Sequence, residues 1–172
     1  MAEQMAQDRP PASACVLFHL VDPGEIDQEF SPIETYVPLI QMMWLDVVHG
    51  FGLDGLLVVD QTSSKVARSL NFEGLKWSRF DSLVDAEAAN RDARWVYFEQ
   101  GGQPLTDFVH PEGAVIYAFG PDTVGLAHEP GKTYVEIPTV RPWAFFSPLA
   151  AAIVFADRFT RHPRSPSRDD RP

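Results

Sequence analysis

Short apolar runs alternate with longer apolar or amphipathic stretches along most of this chain. The short runs predict five strands, at residues 15–21, 55–60, 94–99, 113–119 and 133–137. The longer stretches predict three helices, at residues 33–49, 78–91 and 147–159. Strands that alternate with helices indicate an α/β fold with a mainly parallel sheet and helices on both faces.

The first predicted helix is apolar on nearly every side. Glu34 and Asp46 are its only charged residues. A helix of this kind is buried on more than one side. Two alternatives remain for what buries its apolar sides: the core of its own domain, or a second copy of the chain.

The two ends of the chain differ from this regular middle. Residues 1–12 are polar and contain a double proline, and residues 160–172 are rich in arginine and proline. Neither end carries enough apolar surface to fold. We predict a flexible N-terminal tail over 1–12, one domain over 13–159 and a disordered tail over 160–172.

Charge is spread unevenly over the 172 residues, whose formal net charge is −10. Residues 13–157 hold 8 basic and 20 acidic residues, whereas the last fifteen residues hold five arginines and two aspartates. The acidic body repels a phosphate backbone, so an RNA partner would have to be held by few cations.

Other features narrow the class of protein. Cys15 is the single cysteine, so an internal disulfide is excluded. No Cys/His set has zinc spacing, and we expect no metal site. No signal sequence is apparent, and no apolar run approaches the eighteen or so residues of a membrane span. We therefore expect a soluble cytoplasmic protein without a membrane partner.

Three segments in the C-terminal third are candidates for chemistry. They are AFGPDTVGL at 118–126, EIPTV at 136–140 and SPLAAAIVFADR at 147–158. Gly120 directly follows a predicted strand, and a glycine there lets a ligand approach the backbone. Ligands of open α/β sheets bind beyond the carboxyl ends of the strands.

The order and spacing of these segments resemble the C-terminal motifs of the SPOUT (α/β-knot) methyltransferases. The likeness is closest to the SpoU/TrmH-type and TrmL-like branch, which methylates the ribose 2′-hydroxyl of RNA. It covers about residues 15–158, and FGPDTVGL is its most specific part.

The resemblance implies a trefoil knot near the C-terminus, S-adenosyl-L-methionine as cofactor, and a homodimer that acts on RNA (tRNA or rRNA). It also implies which residues bind the cofactor, largely through three loops. These are Glu99, Gln100, Gly101, Gly120, Asp122, Gly125, Ile137, Ser147 and Leu149. Asp122 stands where the family usually has glutamate.

Two family features are missing. The catalytic arginine of the first motif falls near Thr35, and no arginine occurs between Pro11 and Lys65. The Ser-Leu-Asn signature falls at residues 144–146, which read Ala-Phe-Phe, or one residue later. Arg141 is the best remaining candidate for a catalytic cation, since a guanidinium suits phosphate or carboxylate.

His110 and His128 flank the candidate loops. Each is a candidate general base near neutral pH, although a solvated loop histidine is the more common outcome.

These observations lead to one main function and two alternatives. The main expectation is an S-adenosylmethionine-dependent RNA 2′-O-ribose methyltransferase. The missing arginine favours a catalytically weakened homologue that acts as a cofactor-binding or dimeric scaffold protein. The acidic body favours a methyltransferase with a non-RNA acceptor.

Overall fold

The computed structural model describes residues 14–20, 33–62, 70–121, 125–140 and 145–161. Within these ranges the chain forms six strands and three helices. The strands are β1 (Ala14–Leu20), β2 (Gly55–Asp60), β3 (Trp77–Phe80), β4 (Arg94–Pro104), β5 (Val115–Phe119) and β6 (Tyr134–Glu136). The helices are α1 (Ile33–Gly50), α2 (Leu83–Ala89) and α3 (Ser147–Arg161).

All six strands belong to one parallel sheet. Their order across the sheet is β3-β2-β1-β5-β4-β6, and every neighbouring pair is parallel. β1 and β5 lie at the centre, and every residue of β5 is buried. The predicted α/β class with a mainly parallel sheet is therefore confirmed for the described residues.

Helices cover both faces of the sheet, as predicted. On one face, α1 and α3 pack in the larger core, where Trp44 of α1 stacks on Phe18 of β1 with ring centroids 4.8 Å apart. On the other face, Ala86 of α2 is buried in a smaller cluster with Leu57 and Tyr97. No helix in the described part of the chain is long and apolar enough to cross a membrane.

The predicted helix at 78–91 is wrong over its first residues. Residues Trp77–Phe80 form β3, which pairs with β2, and α2 begins only after Ser82. The Ser82 hydroxyl accepts a hydrogen bond from the Asp85 N–H at 3.1 Å, which caps the helix. The spacing of Phe80 and Leu83 is typical of one face of a helix, which is why the sequence predicts a helix here. The observed strand depends on pairing with β2, which is distant in sequence.

Strand β4 runs five residues beyond its predicted end at Glu99. Its pairing with β6 shifts register between Phe98 and Gln103, which is a bulge. Gly101 has a φ of +79°, and a Cβ on Gly102 would lie 2.6 Å from Tyr134 C of β6. Two glycines thus permit a bulge that strand periodicity does not predict. Helices α1 and α3 end within two residues of their predicted ends.

Candidate functional site

Three of the predicted segments meet at one edge of the sheet. The strands β5, β4 and β6 are parallel neighbours, so their carboxyl ends lie on the same side. The segments that follow or end them are 99–102, 120–126 and 136–140, of which residues 122–124 lie outside the described residues. Ligands of open α/β sheets bind at this kind of edge.

After β5 the described residues on the two sides of positions 122–124 lie against each other, so the chain turns back between Gly120 and Gly125. The Gly125 N–H donates to the Pro121 carbonyl at 2.9 Å, and Gly125 has a φ of +65°. A Cβ on Gly120 would lie 2.8 Å from Gly125 C and from Leu126 Cγ. Both positions therefore need glycine, because the turn packs against itself.

Glu99 closes this turn from the end of β4. Its Oε2 accepts a hydrogen bond from the Leu126 N–H, and its Oε1 accepts one from the Gln100 N–H at 2.9 Å. A Cβ on Gly125 would collide with the same carboxylate. The first two predicted cofactor loops are thus in direct contact.

The β4 bulge is also held by side chains from outside β4. The Gly101 N–H donates to Glu136 Oε2 of β6 at 2.8 Å. The Gln100 carbonyl accepts from His128 Nε2 at 2.9 Å. Because a carbonyl only accepts, Nε2 of His128 carries the hydrogen. The His128 ring stacks on Tyr134 with centroids 4.1 Å apart.

His128 is exposed, as the commoner alternative predicted, but its ring is fixed rather than free. Tyr134 is fixed in turn, since its hydroxyl donates to the Ala127 carbonyl at 2.9 Å and accepts from the Glu129 N–H at 3.0 Å. These contacts therefore hold the backbone after Leu126 beside the β4 bulge.

The third predicted loop follows β6 and leads towards α3. Ile137 is half-buried against the larger core, and Val140 is fully exposed. Ser147 is buried as the first residue of α3, and Leu149 is 48% exposed. The predicted site residues Asp122 and Arg141 lie outside the described residues.

The residues at the place of the missing Ser-Leu-Asn signature serve packing. Phe145 and Phe146 are half-buried and pack against the core formed by α1, α3 and the sheet. The Phe146 carbonyl accepts the Ala150 N–H at 3.0 Å, which belongs to the first turn of α3. The aromatic residues therefore anchor the start of the helix.

His110 does not belong to this edge, and the interpretation of it as a solvated loop histidine is wrong. Its ring is buried, with Nδ1 2.9 Å from the Tyr117 hydroxyl and Nε2 2.9 Å from Asp157 Oδ2. Arg158 Nη1 donates to the same Tyr117 oxygen at 2.6 Å. Burial lowers the pKa of His110, against the opposing effect of Asp157, and raises the pKa of Tyr117 to about 12.

This cluster makes a continuous chain of hydrogen bonds when His110 is neutral. Arg158 donates to Tyr117, Tyr117 to Nδ1 of His110, and Nε2–H of His110 to Asp157. Arg161 donates from Nε to Asp157 Oδ1 at 3.0 Å. His110, Tyr117 and Arg158 are buried and hydrogen-bonded, so we assign the cluster to stability. No local sequence pattern indicates it, because its partners lie 7 and 47 residues from His110.

No protein-family model and no curated protein matches the chain by sequence. Solved structures do match its fold. An AdoMet-bound rRNA methyltransferase from Sinorhizobium meliloti matches with a TM-score of 0.66 and 15% identity, over 91% of this chain and 59% of the other. The SpoU methyltransferase AviRb from Streptomyces viridochromogenes, in complex with AdoMet, matches with a TM-score of 0.62 and 18% identity, over 91% and 61%.

A third structure is described as giving insights into the 2-OH methylation of C/U34 on tRNA. It matches with a TM-score of 0.65 and 16% identity, over 92% of this chain and 96% of the other. The chain thus spans about three-fifths of the two longer proteins and nearly all of the shorter one.

These matches establish the fold. The chain shares the α/β fold of SpoU/TrmH-type RNA methyltransferases, and the resemblance drawn from FGPDTVGL and its neighbouring segments is confirmed at that level. What the matched proteins bind and methylate remains a property of those proteins, since a fold alone does not define a function.

Proposed function

We propose that the protein is a cytoplasmic S-adenosylmethionine-dependent methyltransferase that acts on a ribose 2′-hydroxyl of tRNA or rRNA. One observation carries the proposal. A glycine-bounded turn, whose described residues Gly120, Gly125 and Leu126 pack together, is held by Glu99 at the end of a parallel strand, in a fold shared with AdoMet-bound RNA methyltransferases.

The chemistry of the edge fits this cofactor. Ile137, Val140 and Leu149 offer partly or fully exposed apolar surface for an adenine ring. Glu99 and Glu136 hold the loops of this edge by accepting hydrogen bonds from the backbone N–H groups of Leu126, Gln100 and Gly101. We propose that the cofactor-binding set is Glu99, Gln100, Gly101, Gly120, Asp122, Gly125, Ile137, Ser147 and Leu149.

When bound, S-adenosylmethionine would supply an activated methyl group on a cationic sulfur for transfer to the acceptor oxygen. The chain's own residues chiefly supply positioning, because holding two reactants in line removes much of the entropic barrier. We propose that Arg141, four residues after Ile137, orients the acceptor through its guanidinium.

Calorimetric titration with S-adenosylmethionine and S-adenosylhomocysteine tests the cofactor site. Gly120→Arg places a long side chain where even a Cβ would lie 2.8 Å from Gly125 C. Gly50→Arg is the control, since a Cβ there meets nothing within 4 Å. We expect micromolar binding by the wild type and by Gly50→Arg, and none by a folded Gly120→Arg. Absence of binding by the folded wild type at millimolar ligand would overturn the proposal.

We also propose that the chain closes a trefoil knot around this edge. β6 lies at the outer edge of the sheet beside β4, whereas α3 packs against α1 and the central strand β5. The chain therefore leaves β6 at the edge of the sheet and resumes in α3 beside its centre, and the knot requires a passage across the end of β4 between them. Pulling the two termini apart in a single-molecule experiment should give an unfolded contour shorter than that of an unknotted chain of this length. A full-length contour would contradict the knot.

We propose a homodimer that buries the outer side of α1 and α3. These helices contact each other, and α1 leaves large apolar side chains exposed on Leu39 (42%) and Met42 (54%). This is the helix that the sequence shows to be apolar nearly all round, so a second copy of the chain is a matching cover.

A second candidate function is a catalytically weakened homologue that binds the cofactor without transferring its methyl group. The packing of Phe145 and Phe146 into the core favours it, because polar groups of the family signature are absent from that place. Transfer of labelled methyl groups to tRNA and rRNA, with RNA binding measured over a series of salt concentrations, separates the candidates. Cofactor binding without transfer would support the second candidate.

Methyl transfer to a protein or a small molecule, without RNA binding that weakens as salt rises, would instead indicate a non-RNA acceptor. The steepness of the salt dependence counts the phosphate contacts, with a slope of about 0.7 per contact for single-stranded RNA.

A further inference from the structure

Glu99 connects two segments that are distant in sequence. It directly follows Phe98, the last residue of β4 that pairs with β5, and it lies where the β4 bulge begins. Its carboxylate reaches the N–H of Leu126, 27 residues further along the chain. The contact thus joins the end of one strand to the turn that follows another.

The surrounding backbone is shaped to admit this carboxylate. The Gln100 N–H donates to Oε1 at 2.9 Å, which leaves Oε2 directed at Leu126. Gly125 has no side chain, and a Cβ there would collide with the carboxylate. Gly120 is in turn packed against Gly125 and Leu126. Carboxylate, turn and glycines therefore form one packed unit.

The charge of Glu99 is met by backbone N–H groups. Among the ion pairs of the described residues none includes Glu99. A hydrogen bond from an N–H to a carboxylate is roughly twice as strong as one to a neutral acceptor. This bond is therefore well suited to fix the turn.

We propose that Glu99 is a positioning residue, whose carboxylate latches Gly125 and Leu126 to the end of β4 in the arrangement that receives the cofactor, and does not contact the cofactor's reacting atoms. The role of the latch in cofactor binding rests on the proposed function. The hydrogen bond from the Leu126 N–H to Glu99 does not depend on that function. It assigns to the side chain of Glu99 a role that the family resemblance assigns to backbone groups of its loop.

Amide hydrogen exchange followed by NMR tests the latch without any ligand. In Glu99→Ala we expect the Leu126 amide to exchange at least tenfold faster than in the wild type, because its acceptor is gone. Glu99→Gln keeps one of the two acceptor oxygens, which can serve the Leu126 N–H while the exposed Gln100 N–H turns to water, so it should restore part of the protection. Glu136→Ala is the matched control, since it removes the acceptor of Gly101 and should leave Leu126 unchanged. Unchanged exchange of Leu126 in Glu99→Ala would overturn the latch.

Affinity for the cofactor tests the consequence of the latch. We expect Glu99→Ala to weaken S-adenosylmethionine and S-adenosylhomocysteine by the same factor, about tenfold, and Glu99→Gln to recover part of the loss. Tighter binding by Glu99→Ala would mean that the carboxylate obstructs the site. A loss confined to S-adenosylmethionine would mean that the carboxylate contacts the cationic sulfur. Either result would overturn the proposal.

The two measurements separate two kinds of failure. If the wild type binds neither compound, the proposed function fails, while the exchange of Leu126 still decides whether Glu99 holds the turn. If Glu99→Ala does not fold, Glu99→Gln carries both measurements, because it is isosteric with the native residue. The latch then predicts that Glu99→Gln binds both compounds less tightly than the wild type, by the same factor and by less than tenfold.

Discussion

Two separate effects favour glycine at position 125, and the cost of each in stability can be measured with variants. Its φ of +65° is disfavoured for other residues, and a Cβ would collide with Glu99. Only the first effect applies to Gly131, with a φ of +83° and nothing within 4 Å of a Cβ.

We predict that Gly131→Ala lowers the free energy of unfolding by about 1–2 kcal/mol, which is the cost of a left-handed backbone. Gly125→Ala should lower it by about 2–4 kcal/mol, since crowding adds to that cost. Denaturant unfolding of both variants checks the difference. Equal losses would show that the collision is relieved without cost.

His110 makes stability depend on pH, with a sign that follows from its burial. Burial lowers its pKa below 6.5 in the folded protein, whereas the unfolded chain keeps the ordinary value. The unfolded chain therefore binds the proton first as the pH falls. The stabilisation is fully present above about pH 6.5 and is lost progressively below it, until the folded protein is protonated as well.

Burial makes the neutral form of His110 the favoured one. Desolvation lowers its pKa most, Asp157 opposes this effect, and the charges of Arg158 and Arg161 lower the pKa further. We predict that His110→Gln is less stable than the wild type above pH 6.5 and that its stability declines less below it. Unfolding in denaturant at a series of pH values checks this, with the exposed His128→Gln as control. A variant that declines as steeply as the wild type would contradict the assignment.

At the scale of the element, α3 has different tasks at its two ends. Its first residues follow the candidate cofactor edge, whereas its last turn holds the irregular connection between β4 and β5. Arg161 donates to the carbonyls of Phe108 and Thr106, each at 3.1 Å, and Arg158 donates to that of Pro111 at 3.1 Å. The connection has turn hydrogen bonds from Asp107 and Phe108, and two arginines satisfy carbonyls that these bonds leave open.

We predict that Arg161→Ala lowers the free energy of unfolding by about 1 kcal/mol, a small loss because the side chain is partly exposed. Amide exchange at residues 105–111 should become faster in the same variant. Arg161→Lys should rescue little, since an ammonium cannot reach two carbonyls with a planar fork. Arg94→Ala, at the exposed start of β4, is the control and should leave this exchange unchanged.

The elements also differ in how well local sequence predicts them. Helices α1 and α3 are long and strongly patterned, and their predicted bounds are within two residues of the observed ones. β3 was missed because four residues carry too little periodicity, and its pairing partner β2 fixes its structure. The β4 bulge depends on contact between Gly102 and the backbone of β6, which local periodicity does not contain.

At the scale of the whole molecule, the exposed apolar face of α1 gives a test of assembly. Met42 is 54% exposed on α1, whereas Val84 is 70% exposed on α2, on the opposite face of the sheet. We predict that Met42→Glu shifts a dimer to monomer in sedimentation velocity, because a buried unpaired charge is costly at an interface. Val84→Glu should leave the dimer intact. A wild-type protein that sediments as a monomer, or a Met42→Glu variant that stays dimeric, would contradict the proposed interface.

The sequence by itself determined the α/β class, the parallel sheet, the main helices and the segments that meet at one edge. It did so because strand and helix periodicities are local, and because parallel strands bring their carboxyl ends together. The five-residue spacing of Gly120 and Gly125 is typical of a tight turn. The sequence did not show that this turn packs on itself.

Only the tertiary structure decided which side chains complete these segments. Glu99 meets Leu126 across 27 residues, and His110 meets Asp157 across 47. Such contacts depend on how the strands order themselves in the sheet and on where α3 returns to it. Local patterns report which residues are buried, whereas the partner of each polar group is fixed only when the whole chain has packed.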